Sequence, residues 1–184
     1  MGQLIDGVWS DEDIISEIQA DGSYLKKPSI FRRFITADGS SGFKAEPDRY
    51  HLYSSTGCPW AHRTELFRVV KKLEDIIKKH ETAQNPDGGG WGFEGATHKV
   101  PGTDAEVRQL HEIYTLADPD YTGKVSVPTL WDAQEKTIIN NESSEIIRMF
   151  NSEFAEFTAG TPNLCPPELL GKIDEMNQLI LDGV

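Results

Sequence analysis

The chain has 184 residues, 38% of them hydrophobic, enough for one domain with a proper core and some chain left for loops or an extension. Eighteen basic residues stand against 30 acidic ones, a net charge of −12, so neither nucleic acid nor an anionic membrane is expected as the main partner. No apolar run approaches the roughly 20 residues of a membrane span, the start MGQLIDGVWSDED is too polar for a secretory signal, and Asp6 stands where a myristoylation pattern wants Ser or Thr.

Residues 1–48 carry scattered aromatics, the cluster ADGSSGF and the acidic stretch Ser10–Glu17, with no period that holds. They read as an extension that wraps a domain. YHLY at 50–53 alternates as a short strand does. Pro59 suits a first helical turn, where no backbone N–H is needed. From there Trp60, Ala61, Phe67, Val70, Leu73 and Ile77 recur at helical spacing. The polar stretch KKHETAQNPDGGG at 78–90 reads as loop. Residues 104–116 (DAEVRQLHEIYTL) read as a second helix, and ADPDYTGK as turn. VSVPTLWD reads as a strand interrupted by Pro128, and TIIN as its hairpin partner across QEK.

NESSEIIRMFNSEF begins with capping residues, Ser143 or Ser144, and continues as a helix with Ile146, Ile147 and Phe150 on its apolar side. After the linker TAGTPNLCPPEL comes an amphipathic stretch whose apolar face, 169–181, calls for a partner; a homodimer is one way to cover it. The order of strands and helices fits a mixed sheet flanked by helices. The expected boundaries are an extension at 1–48, a domain at 49–154, and a linker with a further helix at 155–184.

The two cysteines, Cys58 and Cys165, lie far apart with no metal-ligand spacing, which points to a reducing, cytoplasmic compartment. Cys58 falls at the start of the first helix, where unpaired N–H groups and the helix dipole favour a thiolate. His62 and Arg63, one turn on, can add positive potential. Ala61 occupies the second position of a would-be CxxC, so the chemistry would be monothiol, with an outside thiol as partner.

Pro128 directly follows an apolar strand residue. In the cis form it would offer the backbone of Val127 to an extended peptide. Glu142 and Ser143 stand at a helix start suited to a carboxylate. Each has an ordinary alternative: an inert helix-capping thiol, a strand-ending proline, a capping serine, a solvated carboxylate. Together they describe a site for a small cysteine-containing peptide such as glutathione.

SSTGCPWAHRT, GWGF at 90–93, ADPDYTGKVSVPTLWD and IINNESSEIIRMFNSEF resemble the glutathionyl-hydroquinone reductases, the Xi class of glutathione transferases, over roughly residues 45–155. The resemblance implies a thioredoxin-like domain followed by an all-helical one, of which this chain holds only the start. It implies glutathione as co-substrate and aromatic glutathione conjugates as substrates. Cys58 would be the nucleophile, Trp91 would lie over glutathione, Val127 with Pro128 would pair with its cysteinyl backbone, and Glu142 with Ser143 would hold its γ-glutamyl end.

Three departures from the family pattern follow. The polar 78–90 segment stands where the family has an apolar strand. The helical domain's aromatic pocket falls outside the chain. The family's basic glutathione contact is unmatched, with Arg108 and Lys124 both open. A general thiol transferase and a non-catalytic glutathione-binding module are the rival readings, the latter favoured by the damaged middle strand and the missing helical domain and disfavoured by the intact CPWAHR.

Overall fold

The structure, a computed structural model, describes residues 2–12, 28–95 and 97–183. The acidic stretch expected at Ser10–Glu17 lies outside the described residues beyond position 12. In chain order the elements are β1 (Gln3–Ile5), β2 (Val8–Ser10), β3 (Tyr50–Ser54), α1 (Pro59–Val70), β4 (Lys78–Gln84), β5 (Trp91–Phe93), β6 (His98–Lys99) and β7 (Glu106–Val107). There follow α2 (Leu110–Ala117), β8 (Gly123–Lys124), β9 (Thr129–Asp132), β10 (Thr137–Asn140), α3 (Ser143–Ser152) and α4 (Leu170–Gly183).

The main sheet has the order β10-β9-β3-β4-β5, with β3 and β4 parallel and the other pairs antiparallel. Alternation along its strands divides the core in two. Tyr50, Leu52, Leu130 and Ile139 pack with Ile146, Met149 and Phe150 of α3. On the other side Tyr53, Trp131 and Ile138 pack with Leu110, Ile113 and Tyr114 of α2. This mixed sheet between helices is the thioredoxin-like arrangement. β1 pairs with both β2 and β8, so the N-terminal residues join the domain as a small ribbon.

The 78–90 segment corrects the loop expected there. KKHETAQ is β4, in register with β3 from His51↔Lys78 to Ser54↔Glu81. Its side chains are paired rather than apolar. Lys79 binds Glu65 of α1 at 3.1 Å, Thr82 donates to the Ser54 carbonyl at 3.0 Å, and His80 stacks on Tyr53. The loop is confined to 85–90, where Asn85 N–H donates to the Gly90 carbonyl at 2.9 Å and closes the β4–β5 hairpin.

Helix boundaries also shift. α1 ends at Val70 because Lys72 takes a positive φ of 53°, so Leu73 and Ile77 enter the core from a turn rather than a helix. Trp60 and Val70 face outward, with Leu66 and Val69, while Ala61 and Thr64 are buried. α2 begins at Leu110 rather than 104, where the Glu112 carboxylate accepts the N–H groups of Arg108 and Gln109, both at 2.8 Å. The cap of α3 is Glu142, whose carboxylate accepts Ser144 N–H at 3.4 Å; Ser143 is the first helical residue.

Three imidazoles meet on one side of the sheet. His51 Nδ1 lies 3.0 Å from His80 Nε2, His80 packs against His98 with centroids 4.7 Å apart, and His98 Nε2 reaches the Tyr53 hydroxyl at 3.1 Å. Among the described residues no three His, Cys, Asp or Glu side chains are grouped to hold a metal ion. Burial lowers all three pKa values, and His80, crowded by the other two, falls to about 3. Each ring therefore takes its proton in the unfolded chain before it does in the folded one. Stability is full above the unfolded value of about 6.5 and is lost as pH falls towards 3. For His80 alone the loss between pH 6.5 and 5 is at most about 2 kcal/mol, an upper limit because part of the ring meets solvent. Urea unfolding at pH 7 and pH 5 should show it, and His80→Phe should flatten the slope. Equal stabilities at the two pH values would contradict this account of the cluster.

Candidate active site

Cys58 occupies the N-cap of α1 with extended backbone (φ −110°, ψ 116°), and Pro59 fills the first helical position. Its carbonyl accepts His62 N–H at 2.9 Å as the first helical bond. The thiol is partly buried, and its Sγ lies 3.6 Å from the Val127 carbonyl oxygen. The Val127–Pro128 bond is cis. The helix start and the proline turn, 69 residues apart in sequence, are therefore adjacent in space.

The start of α3 joins them through a residue the sequence singled out only as a source of potential. Arg63, one turn along α1 from Cys58, donates to Ser143 Oγ from Nε at 2.9 Å and Nη2 at 2.6 Å, with Nη2 3.7 Å from Glu142 Oε1. Its guanidinium lies 5.2 Å from the Trp60 ring centroid. Burial lowers its pKa and Glu142 opposes the shift, so it stays a cation at any ordinary pH. Ser143 Oγ, accepting two charge-assisted bonds, still has its own O–H to donate. Arg108 precedes α2 and Lys124 pairs with β1. Among the described residues the cation bonded to Ser143 is Arg63.

A buried hydroxyl ties the two turns from below. Tyr114 of α2 donates to the Ser126 carbonyl at 2.9 Å or shares its proton with Thr129 Oγ1 at 3.0 Å, and accepts Asn141 Nδ2–H at 3.1 Å. Ser126 precedes Val127 and Asn141 precedes Glu142, so one side chain spaces the proline turn from the α3 start. Nothing in the linear sequence marks Tyr114 for this, since its partners lie up to 27 residues away.

Trp91 opens β5 and is 7% exposed, so the indole does not stand free over the site. It belongs to the same apolar cluster against which Cys58 packs, and its Nε1 has no hydrogen-bond partner among the described residues. Cys58, Val127, Pro128, Glu142 and Ser143 are brought together around α1 and Arg63, and Trp91 stands on the edge strand β5. No helix among the described residues is long and apolar enough to cross a membrane.

A cysteine at a helix start, beside a cis-proline turn on a mixed sheet, is the thioredoxin-like arrangement. The chain belongs to the glutathione S-transferase family: the family's N-terminal domain matches residues 57–153. The glutathionyl-hydroquinone reductase YqjG of Escherichia coli K12 is 44% identical over 191 residues, covering 100% of this chain and 58% of that protein. The glutathionyl-hydroquinone reductase PcpF of Sphingobium chlorophenolicum is 41% identical over 182 residues, covering 99% and 56%. Among solved structures, a Xi class transferase from Natrialba magadii superposes with a TM-score of 0.82 at 39% identity, over 100% of this chain and 55% of that one. The chain thus spans just over half the length of the relatives it matches.

Proposed function

We propose that the chain carries the glutathione-handling half of a glutathionyl-hydroquinone reductase, with Cys58 as nucleophile. The observation that carries the reading is the meeting of the Cys58 thiol, the Val127 carbonyl before a cis proline, and the Arg63–Ser143–Glu142 cluster at one helix start. An extended glutathione paired along Val127 would place its sulfur against Cys58 and its γ-glutamyl end at α3. There Glu142 would take the ammonium, and the Ser143 hydroxyl, with Arg63 behind it, would take the carboxylate. Trp91 would close the side of the site next to β5.

In the reaction the Cys58 thiolate attacks the sulfur of a glutathionyl-hydroquinone. An S–S bond forms, the aromatic C–S bond breaks, and its electron pair goes to the ring carbon, which takes a proton and leaves as hydroquinone. A second glutathione thiolate then attacks the glutathione sulfur of the mixed disulfide, releasing glutathione disulfide and the Cys58 thiolate. The relatives named glutathionyl-hydroquinone reductases support this substrate class.

The presence of β4 removes one of the two supports of the non-catalytic alternative, the damaged middle strand. A reducing, cytoplasmic compartment suits the two free cysteines. Residues 155–184 fit the linker and first helix of a helical domain. The exposed Leu66 and Val69 of α1 and Met176, Leu179 and Ile180 of α4 suit further helices or a second copy.

Glu142→Gln keeps an acceptor for the α3 cap but loses the charge, so it should weaken glutathione binding by roughly 1–3 kcal/mol. Alkylation of Cys58 by iodoacetamide should proceed at an unchanged rate. Calorimetric titration beside the alkylation rate checks both. A fall in both together would mark a folding defect and remove the ligand role.

A further inference from the structure

The N-terminal ribbon reaches the candidate site at one loop. Trp9 of β2 stacks on His111 of α2, with ring centroids 4.4 Å apart and an interplanar angle of 14°. The Trp9 indole N–H donates to Asp11 Oδ1 at 3.1 Å, and the same oxygen accepts Gly89 N–H at 2.8 Å. The Gly89 carbonyl lies 3.1 Å from His111 Nδ1. A carbonyl only accepts, so Nδ1 carries the proton and His111 is fixed in that tautomer.

Gly88, Gly89 and Gly90 all take positive φ, at 99°, 81° and 76°. Glycine visits both signs of φ freely, so such a run depends on its partners. Asn85 holds its two ends, donating to the Gly90 carbonyl at 2.9 Å and accepting Gly88 N–H at 3.2 Å, while Gly89 between them is bonded from outside. A Cβ on Gly90 would fall 2.8 Å from Trp9 Cη2, and one on Gly89 would fall 3.0 Å from the Gln109 side chain. The loop is thus pressed between Trp9 and Gln109, its amide and carbonyl taken by Asp11 and His111. The next residue is Trp91.

We propose that Trp9, Asp11 and His111 are positioning residues for the glutathione site: they clamp the triglycine loop and so fix where Trp91 and the β5 edge stand. The proposal rests on the reading that Trp91 borders bound glutathione. It gives the N-terminal segment a part in ligand binding, though it lies 78 residues before the loop it holds. The clamp acts through an aromatic stack and one shared carboxylate oxygen, so its two components can be removed separately.

Glutathione affinity of the full 184-residue chain, measured by calorimetry, tests it. Trp9→Ala and Asp11→Ala should each weaken binding by about five- to tenfold. Trp9→Phe, which keeps a ring on His111, should recover most of the affinity. The rate of Cys58 alkylation should stay unchanged in all three, which a general loss of structure would not allow. Trp91→Ala should weaken binding at least as much, and adding Trp9→Ala to it should cost nothing further. Unchanged affinity in Trp9→Ala beside a weakened Trp91→Ala would overturn the clamp alone. Unchanged affinity in Trp91→Ala would overturn the placement of Trp91 and the clamp with it. Should Trp9→Ala fail to fold, Asp11→Ala and Trp9→Phe decide: the clamp stands on loss in the first and retention in the second, and the reverse overturns it.

Discussion

Cys58→Ser is expected to fold normally and to lose transfer of a glutathionyl group by several orders of magnitude, down to the uncatalysed background. The side chain is partly buried beside the Val127 carbonyl, a contact that a hydroxyl can keep, and at the margin of the apolar cluster, so the packing cost is small. What vanishes is the ionisable sulfur, because a serine hydroxyl is not deprotonated by a helix start at neutral pH. Cys165→Ser should retain full activity, since Cys165 lies in the linker between α3 and α4, five residues before α4 begins at Leu170, and not at a helix N-cap. Assays of the two variants with a glutathionyl-hydroquinone, beside their melting curves, check both statements. Activity within tenfold of the parent in Cys58→Ser would remove Cys58 from the chemistry.

Asp132→Ala is expected to be the most destabilising single change near the sheet, by about 3–5 kcal/mol. Asp132 is fully buried at the end of β9, and Arg49, before β3, is 8% exposed. Arg49 grips the carboxylate through Nε, at 3.1 and 3.0 Å, and Nη2, at 2.7 Å. Oδ1 also accepts the N–H groups of Gln134 and Glu135 in the turn to β10. This hydrogen bonding raises the Arg49 pKa further, so it remains charged under all ordinary conditions. Removing the acid leaves that cation with the partly exposed Glu46, 2.9 Å from Nη1, and frees the turn that leads, through β10, to Glu142. Guanidinium unfolding measures the loss, and Arg49→Met in the same background should restore part of it by removing the under-compensated charge. A loss below about 1 kcal/mol would mean the pair is solvated and structurally idle.

The parts legible in the sequence are those whose determinants are local. A cysteine before a proline at a helix start, an apolar residue before a proline, and an acidic-serine pair opening a helix each state their geometry within a few residues. The cis Val127–Pro128 bond and the Glu142–Ser143 helix start bear this out. β4 was not legible because its strand character comes from neighbours. Lys79 needs Glu65, His80 needs Tyr53, and Thr82 needs the Ser54 carbonyl, none of which hydropathy records. α1 misleads in the opposite way: Trp60 and Val70 mark the helix period yet face outward, while Thr64 is buried. Arg63 and Tyr114 work through partners on other elements, 80 and up to 27 residues away, so their service to the site emerges only on folding. Trp91 reads equally from the sequence as a cover over glutathione or a plug over a core, and its burial reflects the cluster it shares with Val107 and Leu110.

The central claim is that Cys58 takes a glutathionyl group from sulfur and lets the aromatic part go. Intact-protein mass spectrometry after incubation with a glutathionyl-hydroquinone, quenched before free glutathione is added, tests it most directly. The account predicts a mass gain of one glutathionyl group, mapped to Cys58 by peptide digestion, released as glutathione disulfide when glutathione follows, with hydroquinone appearing in equal amount. An unmodified protein, an adduct on Cys165, or an adduct that retains the aromatic ring would contradict it.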